Sequence, residues 1–398
     1  MAGIERHVMA LQPNEKSGLC GICSAGCGVV VSYDQEGHVA AVRADDASPF
    51  GMICRVGERS PEVIYSKDRI LYPMRRNGPK GSYDFKRISW DEAYDEIVTK
   101  LNRVKDESGP EAAAIYTGSG SFDRALCDVY QPAGVAVSSA SSVLFPFGSP
   151  NTLGVGALCY VAFAMIAPHV TMGSMYIDMF SDIENAGLIV VWGKNPAAHC
   201  PPDDFLRIQA AHKRGARIVV IDPRKTAMAK YPNAEWIPIR PGTDGALALG
   251  MCNVLIEEEL YDERFVHNWV AGFDEFNEYV QHFRPEYVES VTGVPADTVR
   301  SLATTMARTD GVAPVMYSGL EYNGNGVQTI RAILTLWALA GQLDVPGGQC
   351  FKMKQNRFPI NRRGLVSNPD VYKAAGHNDF PLYTKYRGEF HGMRPMMK

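Results

Sequence analysis

Four cysteines near the N-terminus constrain the fold of this chain more than any other feature of its sequence. Cys20, Cys23 and Cys27 are separated by two and three residues, and 26 residues lie between Cys27 and Cys54. The residues between the first three are small, so one tight loop can direct three thiolates toward a single centre while a fourth returns from a distance. This spacing favours a loop wrapped around an iron–sulfur cube.

Two other uses of these cysteines stay open. Structural zinc is one, although zinc sites usually contain two close pairs of ligands rather than a triplet and a single residue. Disulfide bonds are the other, and they need an oxidising compartment. The chain begins with no apolar signal region and no paired arginines, so we expect no secretory or twin-arginine export. Nine cysteines in 398 residues then fit a reducing compartment, and the cytoplasm is the expected location.

Length and charge narrow the class of protein. A chain of 398 residues predicts two or three domains with a large core. The net charge of −4 provides no general attraction to nucleic acid or to an anionic membrane, so no nucleic acid is expected as a partner. The uncharged run from Leu153 to Val170 contains Pro168 and is only marginally long enough to span a bilayer. A buried helix is the preferred interpretation, and we expect no transmembrane segment.

The N-terminal part of the chain carries two local signals. β-rich runs at Gly28–Tyr33 and His38–Asp45 flank a turn, and they predict a hairpin that brings Cys54 back toward the first three cysteines. Further along, Ser89 and Glu92 form a Ser-x-x-Glu capping box, which predicts the start of a helix. A small β subdomain therefore precedes the first long helix.

The middle of the chain has the pattern of a parallel sheet. Two continuous apolar runs are joined by one helix within about thirty residues, which is typical of a parallel β-α-β unit. A third short strand and a later strand–loop–helix follow. The predicted elements are the strands Gly187–Trp192, Arg217–Ile221, Trp236–Arg240 and Val312–Ser318, and the helix Asp204–Arg214. An α/β fold is therefore expected.

The loops after these strands carry polar residues suited to a nucleotide, because ligands of open parallel sheets bind beyond the carboxyl ends of the strands. Asp222 can accept hydrogen bonds from ribose hydroxyls, Arg224 can bind phosphate, and Asp244 can cap a helix or accept from a guanine edge. Each residue alone also fits an ordinary turn or cap. No loop is G-x-G-x-x-G or a Walker loop, which disfavours a standard NAD, FAD or ATP site. The loops are Gly193–Pro196, Asp222–Arg224 and Pro241–Asp244.

Together these motifs resemble the dimethyl sulfoxide reductase superfamily of molybdenum and tungsten enzymes. Members carry an N-terminal iron–sulfur cluster and a metal held by two pterin guanine dinucleotides. Each motif is modest alone, but their order is specific, and the similarity extends to about Gln349. The motifs are the four cysteines, Asp68–Pro73, Arg87–Ala93, Phe147–Asn151, Gly193–Pro196, Asp222–Arg224, Pro241–Asp244 and Asp344–Gly348.

The resemblance implies a small N-terminal iron–sulfur β subdomain followed by two Rossmann-like parallel-sheet domains, the second inserted in the first. The expected ranges are 1–72 for the cluster domain, 73–150 with 320–398 for an incomplete dinucleotide-binding domain, and 151–319 for the inserted guanine dinucleotide-binding domain. Superfamily members run longer and end in a β-barrel-like domain that covers both pterins. We therefore expect a truncated chain, or a second polypeptide that supplies this domain.

The resemblance also assigns cofactors. The four N-terminal cysteines would hold a 4Fe-4S cluster, and Cys159 would ligate the molybdenum or tungsten of a bis(molybdopterin guanine dinucleotide). From the residues alone, Cys159 is an ordinary buried core cysteine. Many relatives place a basic residue where Val56 stands, so the neighbouring Arg55 is the candidate electron relay. The implied cofactor-binding residues are Gly193, Asn195, Asp222, Arg224, Gly242 and Asp244 for one dinucleotide site, and Gly118 and Gly319 for the second dinucleotide-binding domain.

The implied activity is that of a molybdenum or tungsten oxidoreductase acting on a small molecule. The cluster would relay electrons to or from an iron–sulfur or cytochrome subunit. Two alternatives stay open: a non-redox hydratase or hydroxyltransferase on the same scaffold, and an electron-carrying subunit that has lost the metal. Some sulfur-reducing and arsenate-reducing relatives have a histidine four residues before the metal cysteine, where this chain has Val155. That difference disfavours thiosulfate, polysulfide or arsenate as substrate.

Overall fold

The structure of the protein is a computed structural model. It describes residues 10–23, 25–48, 51–117, 143–154, 161–174, 176–198 and 204–352, together with residues 373 and 375. Contacts between Cα atoms divide the chain into two units. The first comprises Met1–Ala157 and Asn356–Lys398, and the second comprises Leu158–Gln355. The three domain ranges expected from the sequence stay a prediction beside this division.

The first unit begins with a three-stranded antiparallel sheet in the order β1-β2-β3. Strands β2 and β3 confirm the predicted hairpin, with Val31 opposite Val42. Val29 and Val42 are buried beside Cys27, which gives this sheet a small apolar core. Strand β1 has mostly exposed side chains and no apolar alternation, so its pattern does not reveal it. The strands are β1 (Glu15–Leu19), β2 (Gly28–Tyr33) and β3 (Val39–Ala44).

The longest helix of the first unit begins at the predicted capping box. The Ser89 hydroxyl accepts from the Glu92 N–H at 3.1 Å, and the Glu92 carboxylate accepts from the Ser89 N–H at 2.7 Å. Gly109, with φ of 82°, ends the helix. The elements after β3 are α1 (Arg55–Glu58), α2 (Ser60–Ile64), β4 (Met74–Arg76), β5 (Phe85–Arg87), α3 (Trp90–Ser108), β6 (Ile115–Thr117) and β7 (Thr152–Gly154).

The helix predicted over Leu153–Val170 is wrong at its start. Leu153 lies in β7, which pairs in parallel with β6. The described helical residues begin with a π-helix over Val161–Ile166, which continues into α4 (Ala167–Met172). The sequence does not reveal the change, because a continuous apolar run has no periodicity that separates a strand from a buried helix.

The second unit is built on a four-stranded parallel sheet in the order β11-β10-β9-β12. Strands β9 and β10 and the helix between them confirm the predicted β-α-β unit. A short antiparallel pair, β8 with β13, lies in the same unit. The elements are β8 (Met179–Ser181), β9 (Leu188–Trp192), α5 (Phe205–Lys213), β10 (Arg217–Ile221), β11 (Glu235–Ile237), β12 (Val312–Met316) and β13 (Gln349–Phe351).

Helices cover both faces of this sheet, which explains why its strands are apolar on both sides. Val190 and Trp192 of β9 pack with α6 and α12, whereas Ile189 and Val191 pack with α5. The remaining helices are α6 (Asp244–Glu257), α7 (Glu263–Trp269), α8 (Phe273–Val280), α9 (Pro285–Thr292), α10 (Ala296–Arg308), α11 (Ser318–Glu321) and α12 (Gly326–Leu339). Within the described ranges, no helix has both the length and the apolar character needed to cross a bilayer.

Candidate functional site

The four N-terminal cysteines lie on two neighbouring pieces of backbone. The Cys20 N–H donates to the Cys27 carbonyl at 2.9 Å, which closes the loop that carries the first three thiols. Cys54 directly precedes α1, and its carbonyl accepts from the Glu58 N–H at 3.0 Å. The Cys20 sulfur lies 3.2 Å from the position that a Cβ on Gly57 would take, so α1 passes close to the loop. The structure therefore brings Cys54 back beside the triplet.

The electrostatics of the four thiols favour a positively charged occupant. Burial, and after it the charges of Cys20, Cys23 and Cys54, raise the pKa of the Cys27 thiol to about 11. Each of the other three cysteines is therefore close enough for its negative charge to disfavour ionisation of the Cys27 thiol. A group that carries metal cations would supply the missing positive charge and allow all four to act as ligands.

The separation of the sulfurs is wider than a zinc site requires. A zinc ion with Zn–S bonds of about 2.3 Å places its sulfurs about 3.8 Å apart. All four cysteines are described, and no three of their sulfurs lie within 4.8 Å of one another. Four thiols, three on one loop and a fourth beside it, are a donor set that fits an iron–sulfur cluster. Arg55, the candidate relay, is exposed at the first position of α1.

The second group of candidate residues lies at the carboxyl edge of the parallel sheet. The chain proceeds from β9 to β10 and then to β11 on one side, whereas β12 pairs with the other side of β9. The strand order therefore reverses between β9 and β12, and the crevice outside the carboxyl ends of these two strands is the switch point of the sheet. Such a switch point is where open α/β sheets bind their ligands.

Two glycines hold the loops on either side of the crevice in close contact. The Gly319 N–H donates to the Gly193 carbonyl at 2.8 Å. A Cβ on Gly319 would lie only 2.6 Å from that carbonyl oxygen, and Gly193 has φ of 61°, in the left-handed region that favours glycine. The structure thus places Gly319 against Gly193, at the edge expected to hold the first dinucleotide. The assignment of Gly319 to a second dinucleotide domain stays a prediction.

Asp222 and Arg224 occupy the turn after β10. Asp222 is buried, and its Oδ1 accepts from the Arg224 N–H at 2.8 Å. Its carbonyl accepts from the Trp236 indole N–H at 2.9 Å, which fixes the turn to β11. The Arg224 side chain is exposed at the carboxyl edge of the sheet, where a guanidinium can bind an anion.

Asp244 is the first residue of α6, and Thr243 rather than Asp244 occupies the cap position. Its carboxylate is buried, and Oδ1 accepts from the Trp192 indole N–H at 2.8 Å. Burial raises the pKa of Asp244, the charge of Asp222 raises it further, and the bond from Trp192 opposes the rise. Two buried carboxylates therefore lie near each other after β10 and before α6. Gly242, in the same loop, has φ of 79°.

Asn195 supplies an unused acceptor at the same edge. Its Oδ1 is buried and has no hydrogen-bond partner in the part of the chain that the structure describes. The neighbouring Lys194 forms an ion pair with Asp204, which is the N-cap residue of α5. An orphaned acceptor beside two glycines and two buried carboxylates is a set that fits a dinucleotide with many hydroxyl and amino donors.

One residue of this region was missed by the sequence analysis. Glu321, just after Gly319, is buried, and its Oε1 accepts from the N–H groups of Ala162 at 3.0 Å and Phe163 at 3.2 Å. Burial raises the pKa of Glu321, and the two amide bonds oppose the rise. In the sequence, Glu321 is the one acidic residue between Val312 and Gly341, and its position in a predicted loop gives no sign that it is buried.

Two sequence-predicted residues lie outside the described residues: Gly118, expected in the second dinucleotide-binding domain, and Cys159, the expected metal ligand. Their roles stay predictions.

Comparison with known proteins places the chain in a family. The family model for molybdopterin oxidoreductase matches residues 69–388, so the chain belongs to the molybdopterin oxidoreductase family. The predicted membership of the dimethyl sulfoxide reductase superfamily is confirmed. A molybdenum or tungsten pterin cofactor is what this family implies. The relatives also bear out the α/β fold with a parallel sheet.

The relatives include proteins of different named activities. The acetylene hydratase of Syntrophotalea acetylenica is 32% identical over 82% of this chain and 43% of its own length. The thiosulfate reductase molybdopterin-containing subunit PhsA of Salmonella typhimurium is 31% identical over 86% of this chain and 43% of its own. Dimethyl sulfoxide reductase DmsA of Escherichia coli is 32% identical over 79% of this chain and 41% of its own length.

A solved structure is also similar. Acetylene hydratase from Pelobacter acetylenicus matches with a TM-score of 0.69 and 31% identity, over 84% of this chain and 44% of that chain. The chain thus spans about half the length of the curated relatives it matches.

Proposed function

We propose that the chain is the cofactor-binding part of a molybdenum or tungsten bis(molybdopterin guanine dinucleotide) oxidoreductase that acts on a small molecule. The observation that carries this proposal is the carboxyl edge of the parallel sheet, where two touching glycines, two buried carboxylates and an orphaned amide oxygen surround the switch point. The family match supports the same cofactor.

Each residue of the edge has a definite task in this proposal. Gly193 and Gly319 keep side-chain atoms out of the crevice, so that backbone can approach the dinucleotide. Asp222 and Asp244 accept from hydroxyl and amino donors, and Arg224 faces the phosphates. Gly242 shapes the loop that leads to Asp244, and Asn195 offers its unused oxygen. Gly118 belongs to the second dinucleotide site.

The cysteines supply the redox partner of this site. We assign Cys20, Cys23, Cys27 and Cys54 to a 4Fe-4S cluster, with Arg55 as the relay residue toward the pterin. Cys159 supplies a soft thiolate to the metal, which suits a metal also bound by pterin sulfurs. When bound, the metal centre supplies two-electron chemistry or polarises a substrate, and the cluster exchanges single electrons with it.

The partners and domain limits follow from the same assignment. We propose an iron–sulfur or cytochrome subunit as the electron-transfer partner and a small molecule as substrate. The cluster domain would span residues 1–72, one dinucleotide-binding domain 73–150 with 320–398, and the inserted domain 151–319. The relative PhsA is itself named as a subunit, which supports an electron-transfer partner.

Metal content tests the proposal. The anaerobically purified full chain is expected to hold about four irons and stoichiometric molybdenum or tungsten. Iron without either metal would overturn the oxidoreductase and favour an electron-carrying subunit. A zinc-containing chain without iron would overturn the cluster assignment.

A second function is favoured by one observation, the similarity to acetylene hydratase in both sequence and structure. On the same scaffold, the metal would activate water or a substrate for hydration without net electron transfer. Turnover of a candidate substrate with no electron donor or acceptor present would support this alternative. Turnover that requires a dye acceptor or donor would exclude it.

A further inference from the structure

Glu321 joins the sheet edge to the helical segment that follows Cys159. It ends α11, two residues after Gly319, and its Oε1 accepts from the backbone N–H groups of Ala162 and Phe163 at 3.0 and 3.2 Å. These amides belong to the π-helix Val161–Ile166. π-Helices are rare in proteins overall, but those that occur are often found at functional sites. One carboxyl oxygen thus provides both amides with an acceptor outside their own helix.

The segment is also held by its apolar side chains. Phe163 is fully buried, and its ring contacts the ring of Tyr317 with centroids 4.9 Å apart. Tyr317 directly precedes α11, so the ring contact and the carboxylate act on the same short stretch. Packing supplies the attraction, whereas the two directed hydrogen bonds determine the register of the backbone.

Core packing alone does not explain a carboxyl group at this position. The second oxygen of Glu321, Oε2, is buried and has no hydrogen-bond partner among the described residues. An unpaired buried oxygen lowers stability, and an apolar side chain of similar size would avoid that cost. A buried carboxyl group with one unpaired oxygen, two residues after Gly319 of the sheet edge, indicates a functional role.

We propose that Glu321 is a positioning residue, which holds the π-helix Val161–Ile166, close after Cys159 in the chain, in register with the carboxyl edge of the sheet. The inference rests on the proposed function, because it takes Cys159 as a metal ligand and the sheet edge as the dinucleotide site. Glu321 acts through the amides of Ala162 and Phe163 and performs no chemistry itself.

Two substitutions separate the hydrogen bonds from the packing. Glu321→Gln keeps an oxygen acceptor at the same place, whereas Glu321→Leu fills the volume without one. Glu289→Leu is the matched control, because Glu289 also accepts from a backbone N–H, that of Ala296 at 2.9 Å, at the junction of α9 and α10.

The first readout is amide hydrogen exchange of the cofactor-free full chain, followed by mass spectrometry of a peptide covering residues 161–172. Glu321→Leu is expected to raise its exchange rate about tenfold, because both hydrogen bonds from the segment to Glu321 are lost. Glu321→Gln is expected to stay within about twofold of the unsubstituted chain. An unchanged rate in Glu321→Leu, or equal increases in both variants, overturns the inference.

The second readout is the molybdenum or tungsten and guanine content per folded chain after anaerobic expression. Glu321→Leu is expected to lose most of the metal, and Glu321→Gln and Glu289→Leu to retain it. Full metal content in Glu321→Leu overturns the positioning role. An unsubstituted chain without metal or guanine overturns the proposed function instead, and the exchange measurement then decides separately whether Glu321 holds the segment.

Discussion

Gly193 and Gly319 determine how closely the loops after β9 and β12 approach each other. Their contact is a backbone hydrogen bond of 2.8 Å, a Cβ on Gly319 would overlap the Gly193 carbonyl, and Gly193 has the positive φ of 61° that favours glycine. Side-chain atoms at this position would push the loops apart and fill the crevice at the switch point. The absence of a side chain is therefore what these two residues contribute to the site.

Gly319→Ala is expected to lower the free energy of unfolding by about 1–3 kcal/mol, because its Cβ would overlap the Gly193 carbonyl. Urea denaturation measures the change. Gly324→Ala is the control, since no heavy atom lies within 4 Å of the position its Cβ would take. Equal losses in the two variants would contradict the close contact.

Asp244, proposed to bind the dinucleotide, is a buried carboxylate whose charge reduces stability. Its pKa is raised in the folded chain, chiefly by burial. The folded state therefore holds the Asp244 proton more tightly than the unfolded state does. This contribution to stability is fully present below the unfolded pKa and is lost as pH rises through the folded pKa.

Asp244→Asn is expected to raise the free energy of unfolding at neutral pH by about 1 kcal/mol, because the buried charge is removed. The amide oxygen still accepts from Trp192. The gain in the free energy of unfolding should vanish at acidic pH. The guanine content of the purified chain should fall. The midpoints of urea denaturation at neutral and at acidic pH test this expectation. Asp297→Asn is the control, because the Asp297 side chain is fully exposed. A variant less stable than the unsubstituted chain at neutral pH would refute it.

At the scale of elements, α3 and β9 depend on different forces. None of the residues of α3 is buried, so local signals such as its capping box specify where it begins. Strand β9 is buried along its whole length, and its end at Trp192 anchors Asp244 through the indole N–H. Substitutions in α3 should therefore change only the stability of that helix, whereas substitutions in β9 should disturb the carboxyl edge of the parallel sheet.

Ser89→Ala removes the cap and is expected to cost about 1 kcal/mol of helix stability. Amide exchange over residues 90–96 measures the loss directly. Ser89→Thr keeps the hydroxyl and should exchange nearly as the unsubstituted chain does. Equal exchange in the alanine and threonine variants would show that the hydroxyl does not stabilise the first turn.

At the scale of the whole molecule, the two units differ in the size of their described cores. The three-stranded sheet of the first unit buries Cys27, Val29 and Val42 in one small cluster. The parallel sheet of the second unit has large apolar clusters on both faces. Small apolar cores usually need a metal or disulfide in addition, so the cysteine region should depend on the proposed cluster far more than the parallel sheet does.

If the four cysteines hold the proposed cluster, removal of iron by an anaerobic chelator is expected to raise amide exchange in β2 and β3 by at least about tenfold, because metal binding would then be coupled to folding there. Exchange in β9 and β10 should change little, which makes the parallel sheet an internal control. Unchanged protection of β2 and β3 after complete loss of iron would rule out a structural contribution of the cluster.

Whether a feature could be predicted from the sequence depends on how far apart along the chain its interacting residues lie. The hairpin, the capping box and the β-α-β unit depend on residues close in sequence, and all three were predictable from local patterns. The contact of Gly193 with Gly319 and the bonds from Ala162 and Phe163 to Glu321 were not. Cys159 and Gly118 stay predictions that rest on motif order alone.

The sequence by itself determined the family, the cysteine set and the strands of the parallel sheet, because motif spacing and continuous apolar runs are local properties that folding preserves. Only the tertiary structure decided which loops meet at the switch point and which carboxylate holds the segment after Cys159. Glu321 and Ala162 are 159 residues apart in the chain. A pair at that separation leaves no periodic signal, since its contact exists only after the sheet has formed and closed the distance.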